Sequence, residues 1–230
     1  MKEHVREPTA LFWTLLSPAL VFYGMSYSNS ADIQLPQDYM ELSKWYYAYV
    51  SLNVALFGFS YYLIGRRESG FIRSFVYTRT AQIKFLACHS MSYWMLAAGY
   101  CMAFYALTKP YVGAIDIAEL TMILARYSIC YLTFSAVGLL FTLPPLKFQT
   151  AGTLFSILSF AIVIGSLISE RRFQELENIN SMINPLKIAA HFVAYGQITL
   201  GTLTLLVIGI AFSTKLTIAF FRVNPVWSRY

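Results

Sequence analysis

An all-α membrane fold with six transmembrane helices is what three features of this 230-residue sequence predict. Hydrophobic residues make up 57% and charged residues 12%, with mean hydropathy +0.55, a balance too apolar for a soluble domain of this length. The apolar residues gather into six runs, each close to the ~20 residues that cross a bilayer as a helix. Lysine and arginine are shared unevenly among the connections between those runs.

The runs cover approximately 9–27, 45–64, 84–107, 118–143, 150–169 and 189–214, in a single domain over residues 1–230. Lys2 and Arg6 precede the first, as in a signal peptide. It contains Pro18, however, and ends in Tyr23 and Tyr27 without a small-residue cleavage pattern, so it is read as a span. The second opens with Trp45, Tyr46, Tyr47 and Tyr49, and Trp227 and Tyr230 lie at the far terminus, as the aromatic belts of two interfaces. Ser28–Ser43 is expected as a polar outer loop, and Thr108–Ile117 as a short one. Leu143-Pro144-Pro145-Leu146-Lys147 is a tight turn that makes spans four and five antiparallel neighbours. Glu170–Leu186 is longer, with a short helix expected near Arg171–Ile179 before Asn184-Pro185 stops it.

An even number of spans puts both termini on one side. That side holds Lys2, Arg6, Arg66, Arg67, Arg73, Arg79, Lys84, Lys147, Lys215, Arg222 and Arg229. The other holds Lys44, Lys109, Arg171, Arg172 and Lys187. Eleven against five orients the termini to the cytoplasm by the positive-inside rule. The formal charge of +6 is therefore topological, and no nucleic-acid partner follows from it. Cys88, Cys101 and Cys130 all lie inside apolar runs, where thiols behave as small hydrophobes, so no disulfide framework is expected.

Arg66–Phe85 is the longest strongly basic segment. After Gly70 it repeats apolar residues at Phe71, Ile72, Phe75 and Val76, with Arg73 and Arg79 between them, the pattern of a short amphipathic helix. Such a helix either lies on the lipid surface with its arginines snorkelling or offers its apolar face to a soluble partner.

Catalytic chemistry finds no constellation in the sequence. His89 and His191 begin different runs, without HExxH spacing, and read as packing residues rather than metal ligands. There is no GxSxG and no GxxxxGK[ST], so the chain is not read as an enzyme, and no cofactor or metal is assigned to it. Arg126 falls inside the fourth run, where a charge costs at least ~2.5–3.5 kcal/mol and should face a partner or a water-filled path. Glu119, seven residues earlier, lies two turns up the same face. The two are expected as a structural pair, with a role in a substrate path as the alternative.

Several segments together resemble an ABC-2 type transporter permease, the membrane subunit of an ATP-binding-cassette exporter. Pro8-Thr9-Ala10-Leu11-Phe12-Trp13 leading to Pro18 is similar to that family's first span, and Arg67-Glu68-Ser69-Gly70 to its R-E-x-G entry into a coupling helix. Phe134-Ser135-Ala136-Val137-Gly138-Leu139-Leu140 with Gln149, and Ile183-Asn184-Pro185-Leu186 before the last span, also look like it. The sequence departs at Thr78-Arg79-Thr80-Ala81, which replaces a proline-containing turn. The resemblance implies a half-transporter in a bacterial plasma membrane, paired with a second permease copy or a paralogue. Two ABC ATPase subunits beneath would carry ATP and Mg. Arg67, Glu68, Gly70, Phe71, Ile72 and Phe75 would then form the coupling site. The cargo would be amphipathic or hydrophobic: a peptide, a lipid or a drug. A non-transporting membrane anchoring or immunity protein that binds a partner is the competing class.

Overall fold

The computed structural model describes residues 12–29, 38–74, 76–172, 184–197 and 200–221. Among these the chain is helical, with no strand. A π turn over Phe12–Leu16 leads into α1, Ser17–Asn29. There follow α2, Tyr39–Glu68; α3, Arg79–Val112; α4, Ile117–Leu140; α5, Phe148–Arg172; α6, Pro185–Tyr195; and α7, Leu200–Phe220. Among the described residues three stretches are long and apolar enough to cross a membrane: Tyr39–Glu68, Ile117–Leu140 and Phe148–Ser166. The longer α3 is diluted by Lys84, His89, Ser90, Ser92 and Tyr93 along its run.

Five expectations change. Tyr39–Ser43, expected in the outer loop, is already the first turn of α2, and α3 runs on to Val112, leaving only 113–116 before α4. Hydropathy underestimates helices whose terminal turns are polar, because those turns are hydrogen-bonded all the same. The run over 189–214 is two helices, not one: α6 stops at Gly196, which has φ +65° and donates its N–H to the Phe192 carbonyl at 2.8 Å. Among the described residues the amphipathic helix over Gly70–Val76 is a single 3₁₀ turn, Ile72–Ser74. Gly70, at φ +75°, ends α2 in a left-handed conformation that a following helical turn cannot continue. Tyr47, expected in an interfacial belt, is fully buried. The helix expected near Arg171–Ile179 falls mostly, and Phe75, Trp227 and Tyr230 entirely, outside the described residues.

The chain divides into two compact units. The first joins 1–51, 95–130 and 165–197, and its core is aromatic. Phe104 lies edge-on to Phe22 at 6.2 Å and to Tyr47 at 5.1 Å, and Tyr47 is edge-on to Tyr127 at 6.3 Å. A buried hydroxyl relay runs through it. Thr108 Oγ1 donates to the Phe104 carbonyl at 2.8 Å, so it accepts from Tyr39 at 2.7 Å, and Tyr39 accepts from Tyr47 at 2.9 Å.

The second unit joins 52–94, 131–164 and 198–230. Its core forms around a π segment of α2, Val54–Ser60. A π turn widens the helix and frees backbone acceptors. Ser60 Oγ takes up the Ala55 carbonyl at 3.0 Å, and His89 Nε2–H donates to the Phe59 carbonyl at 3.2 Å while its ring stacks on Phe59 at 5.2 Å. Gly138 of α4 sits against this segment, since a Cβ there would come 2.1 Å from Ser60 Oγ. Phe155 of α5 packs edge-on against Phe57 and Phe141.

Candidate functional site

Two arginines decide what the described residues can do, one in each unit. Arg67 occupies the last turn of α2, where helix geometry turns it toward the link between α4 and α5. Its side chain is 1% exposed. Nη1 donates to the Thr142 carbonyl at 2.8 Å and Nη2 to the Leu146 carbonyl at 2.6 Å, with Pro144 O at 3.5 Å and Glu68 Oε1 at 3.2 Å from Nε. α4 has ended before this turn, and the Leu146 N–H, which in a continuing helix would serve the Thr142 carbonyl, goes instead to the Pro144 carbonyl at 2.7 Å. Arg67 supplies what the turn lacks.

This burial alters the reading of the basic segment. Arg67, expected on a partner-facing site with Glu68, binds the α4–α5 turn, and the Glu68 carboxylate lies against its Nε. Ile72 and Val76 are buried too, and they anchor the connector between α2 and α3. What the connector presents outward is Phe71, 45% exposed and lying 4.4 Å from the Arg66 guanidinium, together with Arg73 and with Tyr77, which is 80% exposed. Periodicity placed Phe71 on one apolar face with Ile72 and Val76, whereas Phe71 is exposed and the other two are buried. Tyr77 was missed because it lies beyond the apparent helical repeat.

In the first unit, Arg126 lies nine residues into α4, about 14 Å from its start at 1.5 Å per residue. The expected pair with Glu119 does not form. Glu119 pairs instead with Lys109 of α3, and its Oε2 is 2.9 Å from the Tyr105 hydroxyl. Lys109 in turn lies 4.8 Å from the Tyr39 ring. Two helical turns separate Glu119 from Arg126 along the axis, whereas Lys109 and Tyr105 approach Glu119 directly from the neighbouring helix. The nearer cation wins.

Arg126 reaches the broken end of α6. Nη1 donates to the carbonyls of Val193 at 2.8 Å and Ala194 at 2.7 Å, two of the acceptors that a helix C-terminus leaves open. Nη2 meets Met122 Sδ at 3.2 Å. Asn184 defines the opposite end of α6: its Oδ1 accepts from the Leu186 N–H at 3.0 Å, its Nδ2 donates to Ser166 Oγ at 3.0 Å, and Pro185 follows at the first helical position. At the C-terminal turn of α6, Tyr195 hydrogen-bonds Glu41, which also pairs with Lys44. α6 is thus a short helix held at both ends by side chains from elsewhere in its unit. The signal for the break was Gly196-Gln197 within the sixth run, a glycine C-cap that the surrounding apolar residues hid.

His89 and His191 hold packing positions. His89 stacks among Phe59, Phe85 and Tyr93, and His191 lies 4.7 Å from the Tyr195 ring. Cys88, Cys101 and Cys130 are free thiols. No group of metal-ligating side chains occurs among the described residues.

Over 234 aligned residues the chain is 28% identical to Protein McbE of Escherichia coli, a match covering 99% of this chain and 95% of that protein. No family model and no solved structure matches it.

Proposed function

We propose that the chain is a multi-pass membrane subunit of an ATP-binding-cassette exporter of the ABC-2 permease type. It forms half of a translocation path for an amphipathic or hydrophobic cargo, crosses the membrane six times, and keeps both termini in the cytoplasm. Hydrolysis belongs to separate ATPase subunits, and a second permease copy or a paralogue completes the path. Three long apolar helices and the eleven-to-five split of basic residues support the membrane setting.

The observation that carries the proposal is the connector from Ser69 to Thr78. It displays Phe71 and Tyr77 while Ile72 and Val76 hold it from below. Exposed aromatics on a rigid base are the side chains that anchor a protein partner. Arg67 binds the base of this connector to the Thr142, Pro144 and Leu146 carbonyls, so a push on Phe71 is delivered to the α4–α5 turn as well. A rigid-body step of this kind is how a soluble motor can drive membrane helices.

The test is co-purification of an ATPase subunit with the tagged chain, together with cargo-stimulated ATP hydrolysis. Phe71→Ala/Phe75→Ala and Phe71→Ala/Tyr77→Ala should each lower both by tenfold or more, since aromatic anchors carry about 2 kcal/mol or more apiece. Unchanged binding and stimulation would mean that the connector only rests on lipid. Absence of any ATPase from the purified material would instead favour the non-transporting anchoring or immunity role.

A further inference from the structure

Arg126 is a cation inside an apolar helix whose charge the described residues match only in part. The carbonyls of Val193 and Ala194 carry the negative end of the α6 dipole, equivalent to about half an elementary charge. Met122 Sδ is a weak acceptor. Among the described residues no carboxylate pairs with the guanidinium, because Glu119 is engaged by Lys109 and Tyr105, and Nε–H makes no hydrogen bond. The side chain is half-buried, so it can be approached.

The orientation of the guanidinium matters as much as its charge. Nη1 is spent on the helix end, which leaves Nε and Nη2, the two donors along one side of the fork, facing no strong acceptor among the described residues. That edge matches the spacing of two oxygens on a carboxylate or phosphate. Gly196 lies over it. A Cβ there would sit 2.7 Å from Cζ and from Nη2 and 2.8 Å from Nε, over the face of the guanidinium, so any side chain would push the group away from the position that glycine allows it.

We propose that Arg126 is the receiving residue of a binding site for an oxyanion carried on an apolar body, its Nε and Nη2 gripping a carboxylate or phosphate at the break after α6. The apolar body follows from position: the guanidinium lies about 14 Å along α4, beyond Met122, Ile123 and Leu124 of an apolar run, where a ligand with an apolar part is favoured over a small hydrated ion. Two sources share this chemistry, the phosphate of an anionic phospholipid and the carboxylate of an amphipathic molecule. The site needs only Arg126 and the α6 break, so it stands independently of any ATPase partner.

The full chain, purified in an uncharged detergent, is titrated with oleate against oleyl alcohol and with dioleoyl phosphatidylglycerol against dioleoylglycerol, and bound ligand is read by native mass spectrometry. At least one anion should bind about tenfold or more tightly than its uncharged counterpart, the scale of a charge-assisted bidentate contact. Preference for oleate assigns a carboxylate, and preference for phosphatidylglycerol assigns a lipid phosphate. Arg126→Gln should abolish the preference. Arg126→Lys keeps the charge without the fork and should lose most of it, and it decides the matter if the glutamine variant does not fold. Gly196→Ala should weaken anion binding with the charge intact. Equal binding of anion and neutral counterpart by the unaltered chain, or an undiminished preference in Arg126→Lys, overturns the proposal.

Discussion

Arg67 and Arg126 perform the same local operation in different surroundings. Each sends its guanidinium into backbone carbonyls that a helix end or a turn has left open. Arg67 is 1% exposed, meets three carbonyls of the α4–α5 turn and has the Glu68 carboxylate 3.2 Å from Nε. Arg126 is half-buried, meets two carbonyls and a thioether, and has no carboxylate among the described residues. Once both its charge and its donors are matched, an arginine is a structural tie, since little is left to attract anything else. Where both are matched only in part, the remainder is available to a ligand. Burial at Arg67 closes the first account, and the break at Gly196 keeps the second open.

Removing the tie should have the larger effect. Arg67→Ala takes the guanidinium away from the Thr142, Pro144 and Leu146 carbonyls and from the Glu68 carboxylate, and losing one member of a buried pair costs about 3–5 kcal/mol. The expected result is a sharply lowered unfolding midpoint in detergent and a reduced level in the membrane. Arg67→Lys should recover only part, because an ammonium cannot span the turn as a fork does. A near-normal midpoint for the alanine variant would remove the contrast between the two arginines.

Next in size is Gly196→Ala. A left-handed backbone costs a non-glycine residue about 1–2 kcal/mol, and the new Cβ would also press on the Arg126 guanidinium. Combined with Arg126→Ala, the pressure is relieved. The double variant should therefore be more stable than the sum of the two single losses, by about 0.5 kcal/mol or more. Strict additivity would show that the close approach of Gly196 to Arg126 has no energetic weight.

Arg126→Gln alone should cost less, about 1–2 kcal/mol, since its half-buried contacts are fewer than those of Arg67. Thermal midpoints of the two arginine variants measured side by side would establish the order. An equal or greater loss at Arg126 would make it the structural tie.

The smallest effect expected is a coupling. A double-mutant cycle between Glu119 and Arg126 should give less than ~0.5 kcal/mol, the additivity expected of residues without shared contacts. The corresponding cycle between Glu119 and Lys109 should exceed it, because that pair is only 14% and 12% exposed. A larger coupling for Arg126 would restore the pairing that their spacing on one helix suggests.

What the sequence determined by itself was set by neighbours in the chain. The helical class, the proline turn at Leu143–Lys147 and the presence of an arginine within an apolar run follow from local composition and from bonds that close within one turn. Only tertiary structure decided which partner each charge takes. Arg67 bonds carbonyls 75 to 79 residues away, Arg126 bonds carbonyls 67 and 68 residues away, and Glu119 takes Lys109 across a turn rather than Arg126 along its own helix. Periodicity shows which residues share a face, but not which face a neighbouring helix will cover, so the buried Tyr47 read as an interfacial residue and the 3₁₀ turn at Ile72 as a helix. The break at Gly196 was hidden for a related reason: one glycine and one glutamine barely lower the hydropathy of a long apolar run, while a single left-handed residue is enough to end its hydrogen-bond ladder.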